Sequence, residues 1–139
     1  MNPISSKPAA SCLPEGPAVD SHFHVFSAGV GLPGARYVPS YDASLSDWWS
    51  AASACGVGRG VLVQTSFLGT DNRRLLQELA AHPERLRGVA VVAPDVAPAE
   101  LQALHNAGVR GLRLNLSGVS HDVGAWTSAC ALWDTLPGL

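Results

Sequence analysis

The sequence predicts an α/β fold, the N-terminal half of a (β/α)8 barrel made of about four βα units. Two observations predict it. Short apolar runs, mostly rich in Val or Leu, occupy residues 19–26, 60–66, 88–93 and 109–115, the pattern of parallel strands covered on both faces. Between them lie segments of helical spacing, and strand-to-strand distances of roughly 20 to 40 residues are those used by eight-fold barrels. A full barrel takes about 250 residues, whereas this chain has 139. The architecture left open beside it is a self-contained doubly wound domain, although the loop after the first run lacks the GxGxxG of a dinucleotide fold.

Each element has its own signals. In the first helical segment, 44–56, Leu45, Trp48, Trp49 and Ala52 stand at i, i+3, i+4 and i+7, with Ser44 as N-cap and Gly56 as the stop. The second, 70–82, places Leu75, Leu76 and Leu79 on one side, offers Thr70 and Asp71 as caps, and ends before Pro83. The third opens with Pro98 at a first helical position, continues through Leu101 and Leu104, and closes at Gly108. A fourth runs from Gly124 to Leu136, with Trp126, Cys130 and Trp133 at helical spacing. Residues 1–17 read as a flexible leader, and 18–139 as one partial barrel domain.

Composition narrows the function classes. A net charge of −2 and the lack of any Lys/Arg run exclude the electrostatic footprint of a nucleic-acid binder. No stretch approaches the roughly 18 apolar residues of a membrane span, and the leader has no apolar signal core. Cys12, Cys55 and Cys130 are odd in number and widely spaced, which fits a reducing compartment better than a disulfide framework. The expected location is the cytoplasm.

Chemistry concentrates in VDSHFHVF, residues 19–26. Regular strand alternation puts Asp20, His22 and His24 on one face, and Ser21, Phe23 and Val25 on the other. Polar groups gathered on one face need a metal, a substrate or a hydrogen-bond network. Two neutral imidazoles at i and i+2 suit a cation such as zinc, though catalytic zinc takes about three protein ligands. The competing reading is a pair of hydrogen-bonded core histidines. His82 and His105 are expected to be solvated, and His121, in a loop after the fourth run, is a further candidate.

VDSHFHVF, followed by ARYVPSYDASL, GVLVQTSFLGTDNRRLLQEL, GVAVV and GVRGLRLNL, resembles the amidohydrolase-2 family over about residues 16–136. Within that family the likeness is to 2-pyrone-4,6-dicarboxylate lactonases and similar lactone hydrolases. The resemblance implies a (β/α)8 barrel and hydrolysis of a lactone or related ester C–O bond in a small carboxylated compound. It implies that His22 and His24 bind one divalent metal, zinc or manganese, or contact substrate in a metal-independent variant. It assigns substrate binding to Tyr37, in the RYVPSYDA loop, and to Ser66 and Arg113, which with the two histidines fall at C-terminal strand ends, where barrels place their chemistry. Structural alternatives stay open for all three: loop packing against Pro39 for Tyr37, a turn cap for Ser66, and an ion pair for Arg113. Family members carry a catalytic aspartate on the last strand, and no residue here matches it. The lactonases also carry a second arginine soon after the one matched by Arg113. Here LSGVSHD, residues 116–122, offers only His121, an expectation of one fewer fixed cation. These departures raise a second reading, an inactive truncated fragment that binds ligand and associates with a second copy or with a missing C-terminal half.

Overall fold

The computed structural model describes residues 18–116, 123–127 and 131. Strands β1 (Ala18–Phe23), β2 (Val57–Val63), β3 (Leu86–Ala90) and β4 (Val109–Leu112) alternate with helices α1 (Leu45–Ala54), α2 (Arg73–Ala81) and α3 (Pro98–Asn106). The strands form one parallel sheet in the order β1-β2-β3-β4. Parallel neighbours need a crossover, and each helix supplies one. Short 3₁₀ turns at Ser66–Leu68 and Val123–Trp126 complete the described elements. The leader, His121, Cys12, Cys130 and most of the fourth helical segment lie outside the described residues; Cys55 is exposed.

The core lies where the helices cover the sheet. Leu62, Leu86 and Val109 from the strands meet Leu75 and Leu79 of α2 and Leu101 and Leu104 of α3, all buried. The leucines predicted as helix stripes are therefore those that bury against the sheet. His105 shares the stripe of Leu101 and Leu104, and it is buried at 8% exposure. That corrects the expectation of a solvated side chain. His82 is half-buried too, edge-on to Trp49 at 6.0 Å between ring centres.

Element ends follow local chemistry. Ser44 caps α1 by accepting from the Asp47 N–H, while the Asp47 carboxylate accepts from the Ser44 N–H at 3.3 Å, a reciprocal capping box. Gly108, between α3 and β4, has φ of 98°, a left-handed turn that glycine adopts without penalty. The N-terminus of α2 differs from expectation. Asp71 Oδ1 accepts from the first N–H of the helix, that of Arg73, at 3.3 Å, while the cap position is held by Asn72, whose side chain bonds elsewhere. Its Nδ2 donates to the Val91 carbonyl at 2.8 Å, and its Oδ1 accepts from the Val91 N–H at 3.2 Å. A buried amide thus ties the start of α2 to the end of β3. The strands are shorter at their C-terminal ends than the apolar runs, because β1 stops at Phe23 and β2 at Val63.

At Gly60 a Cβ would lie 2.7 Å from ring atoms of both Phe23 and Trp48. Those rings stack at 3.9 Å between centres, so neither can yield without disturbing the other. Gly60→Ala is expected to lower unfolding stability by about 1–3 kcal/mol in chemical denaturation, and an unchanged midpoint would show that the space is slack. Asn72→Ala leaves both Val91 backbone groups unpaired in a buried place. A loss of about 2–3 kcal/mol is expected, and a variant within 0.5 kcal/mol or so of the parent would rule out the clamp.

Candidate active site

All four parallel strands point their C-terminal ends the same way, and the residues there line a cleft of about 750 Å³. Tyr37 reaches it from the β1–α1 loop, Ser66 from the turn after β2, and Arg113 from just past β4. Gly34, Ala35, Arg36, Phe67, Leu114, Asn115 and Leu116 complete the lining.

The β1–α1 loop is tied down where it presents Tyr37. Phe26 and Ala43 pair as an antiparallel bridge, the Ala28 N–H donates to Asp42 Oδ1, and the Leu32 N–H donates to the Phe67 carbonyl. Tyr37 itself is 60% exposed, so it is not consumed by packing against buried Pro39. Ser66 is exposed, and among the described residues its hydroxyl has no hydrogen-bond partner. Its backbone carbonyl, rather than its hydroxyl, closes the turn by accepting from Gly69. Arg113 forms no ion pair among the described residues; Nη1 donates to the Gln64 carbonyl at 3.1 Å. That bond aims the guanidinium and, among the described residues, leaves its charge without a carboxylate partner.

The histidine pair stands beside the cleft and outside its lining. His22 Nε2 and His24 Nε2 are 3.3 Å apart with their rings edge to face at 88°. The His24 Nδ1 lies 2.7 Å from the Val63 carbonyl. A carbonyl only accepts, so Nδ1 carries the proton and Nε2 carries the lone pair. Burial pushes the His24 pKa down, the Val63 bond opposes it, and the charges of His22 and Arg113 lower it further. His24 is thus held neutral at pH 7, the state in which imidazole acts as a ligand or acceptor.

Asp20 does not share their face. Asp20 pairs with Gly60 and Phe23 with Leu62, three residues of β1 against two of β2, which is a β-bulge. The extra residue reverses the alternation and turns Asp20 toward the helix layer along with Phe23. There Asp20 Oδ2 accepts from Trp48 Nε1 at 2.9 Å, while Oδ1 accepts from the His22 backbone N–H at 3.0 Å. The carboxylate fastens the bulge that carries the histidines.

Two polar lining residues were not picked out by sequence reasoning. Arg36 precedes Tyr37 in the RYVP segment and brings a second guanidinium to the cleft. Asn115 lies two residues beyond Arg113, and its Oδ1 is shielded from solvent with no donor among the described residues. The basic residue next to a matched tyrosine was the available signal for Arg36; nothing in the sequence distinguished Asn115.

The sequence profile of the amidohydrolase family (Amidohydro_2) matches residues 19–136. This chain belongs to the amidohydrolase family. A curated relative from Comamonas testosteroni, named 2-pyrone-4,6-dicarboxylate hydrolase, is 42% identical over 106 residues, covering 74% of this chain and 34% of the relative. Among solved structures, one named as a 2-pyrone-4,6-dicarboxylic acid hydrolase from Acinetobacter baumannii, with citric acid bound, superposes with a TM-score of 0.78 at 36% identity. It covers 84% of this chain and 45% of that one. A second, from Pseudomonas putida and named for the same activity, is 51% identical with a TM-score of 0.67, covering 75% of this chain and 38% of that one. The chain thus spans about a third of the curated relative and less than half of these solved ones. Its four-stranded parallel sheet corresponds to part of the amidohydrolase barrel.

Amidohydrolases often depend on a divalent metal, and the donor geometry of this one can be tested. Two nitrogens at about 2.0–2.1 Å from a tetrahedral zinc stand about 3.3–3.4 Å apart, which agrees with the His22–His24 spacing of 3.3 Å. The Nδ1 bond of His24 to a carbonyl is the outer contact that orients a ligating imidazole. The pair fits two positions of such a site; among the described residues no group of three or more His, Cys, Asp or Glu gathers into a site.

Asp20→Ala should cost about 1–2 kcal/mol by leaving the Trp48 indole N–H without its acceptor, as read by thermal unfolding. Anion binding in the cleft should persist in that variant. Unchanged stability would remove Asp20 from the support of the bulge.

Proposed function

We propose that this amidohydrolase chain supplies the carboxylate-binding part of a site that hydrolyses a lactone, or a related ester C–O bond, in a small carboxylated compound. One observation carries the reading: the cleft lining brings two guanidinium groups and two hydroxyls together and, among the described residues, includes no carboxylate. Such a lining favours anions, because an arginine fork pairs a carboxylate through two charge-assisted hydrogen bonds. The names of the relatives support it, since pyrone dicarboxylate and citric acid are both polycarboxylates.

In this reading Arg113, aimed by the Gln64 carbonyl, pairs with one substrate carboxylate. Arg36 faces a second, and the hydroxyls of Ser66 and Tyr37 donate to ligand oxygens. His22 and His24 stand next to Arg113, where the acyl group of a bound lactone would be held. A zinc or manganese ion bound there would be held by the two Nε2 atoms and would supply Lewis-acid polarisation of an acyl oxygen. Without it, the Nε2–H of His22 donates to the Nε2 lone pair of His24, and the neutral state of His24 keeps the pair from repelling itself. Holding the acyl group and the carboxylates at fixed separation is the positioning contribution of these side chains.

The test is calorimetric titration of the chain with 2-pyrone-4,6-dicarboxylate, alongside loss of the pyrone absorbance on hydrolysis. Arg113→Ala is expected to weaken binding about 10- to 100-fold, the effect of removing a charged hydrogen-bonding partner. Equal affinity in the variant and its parent would sink the reading.

A further inference from the structure

We infer that Gln64 is a positioning residue of the cleft: its buried side chain holds the turn that presents the Ser66 hydroxyl to a carboxylate ligand. The inference rests on the carboxylate-binding reading above. Gln64 follows the last residue of β2 and is 3% exposed. Among the described residues it is not part of the cleft lining, so it acts through its neighbours and not by touching the ligand.

An apolar side chain would satisfy burial at this place, whereas an amide taken out of water costs free energy unless it is paired. The Gln64 amide is paired within the turn. Its Nε2 donates to the Asp71 carbonyl at 2.7 Å and to the Gly69 carbonyl at 3.2 Å, so a side chain at the end of the strand grips the far end of residues 65–71. Inside that grip the Leu68 N–H donates to the Thr65 carbonyl, the Gly69 N–H to the Ser66 carbonyl and the Asp71 N–H to the Leu68 carbonyl. Ser66 and Phe67, the turn residues that line the cleft, both lie within the closed segment. With no bond from the Ser66 hydroxyl to another described residue, the backbone of the turn decides where that hydroxyl stands.

The main chain of Gln64 serves a different part of the cleft. Its N–H donates to the Val89 carbonyl at 2.8 Å, and its carbonyl accepts from Arg113 Nη1 at 3.1 Å. Replacing the side chain leaves that carbonyl in place. The turn of Ser66 is then released while the support of Arg113 is kept, and the contribution of the side chain can be measured by itself.

A double-mutant cycle between Gln64 and Ser66 separates positioning from general support of the fold. Calorimetric titration of the full 139-residue chain with 2-pyrone-4,6-dicarboxylate should show Gln64→Met and Ser66→Ala each binding about three- to tenfold more weakly than the parent, the effect of losing one neutral hydrogen bond to the ligand. In the Ser66→Ala background, Gln64→Met should change affinity by less than about twofold, because the hydroxyl it positions is gone. Gln64→Asn, whose amide is one methylene too short to reach both carbonyls, provides the same comparison should the methionine variant not fold. Affinity unchanged by the Gln64 substitution, or by Ser66→Ala, would overturn the inference and leave the carboxylate reading standing. A Gln64 effect of equal size with and without the Ser66 hydroxyl would also overturn it. If the parent chain does not bind the dicarboxylate, the carboxylate reading fails and takes this inference with it.

Discussion

Burial of Leu62, Leu79, Leu86, Leu101 and Val109 between one sheet and its helices is the constraint from which the rest of the molecule follows. It holds the strands parallel, since each must return through a helix packed on the same layer. Parallel strands deliver their C-terminal ends to a single edge, and that edge is where Ser66 and Arg113 emerge and where the β1–α1 loop brings Tyr37. The chemistry therefore depends on apolar side chains that never touch it.

Within that frame, β1 departs from regular geometry at the place where the histidines sit. Its bulge separates the acid from the imidazoles: Asp20 turns to the indole of Trp48, and His22 and His24 turn to each other. A regular strand would have placed a carboxylate beside the pair and raised the affinity of both rings for protons. Here the nearby charges belong to His22 and Arg113, and they act with burial to keep His24 neutral. The resulting surface combines an uncharged imidazole with cationic guanidinium groups, an arrangement suited to an anionic ligand whose reacting atom must not be met by a second negative charge.

Much of this was legible beforehand, for identifiable reasons. The helix stripes of α1, α2 and α3 could be read because burial against a sheet requires Leu at helical spacing, as at Leu75 and Leu79. The cleft residues could be read because Ser66 and Arg113 occupy matched motifs at strand ends and Tyr37 a matched motif in the β1–α1 loop. The bulge could not, since VDSHFHVF alternates like a regular strand and only pairing with β2 exposes the extra residue. Asn72 was hidden similarly. A residue of good capping type was in place, but its amide is held by the Val91 backbone on another strand, a contact between residues 19 positions apart. His105 was misjudged because surface statistics for histidine ignore the stripe it shares with Leu101 and Leu104.

The tethering of the β1–α1 loop has a consequence for recognition. Three backbone-anchored contacts, between Phe26 and Ala43, Ala28 and Asp42, and Leu32 and Phe67, restrict the segment that carries Arg36 and Tyr37 before any ligand arrives. The entropy of ordering that segment is charged to folding, so an incoming molecule does not bear it. A wall of this kind adapts poorly to a guest of the wrong size. Selectivity then rests on shape as well as charge, and broadening the range of accepted ligands would begin with loosening those tethers rather than with exchanging the side chains that meet the guest.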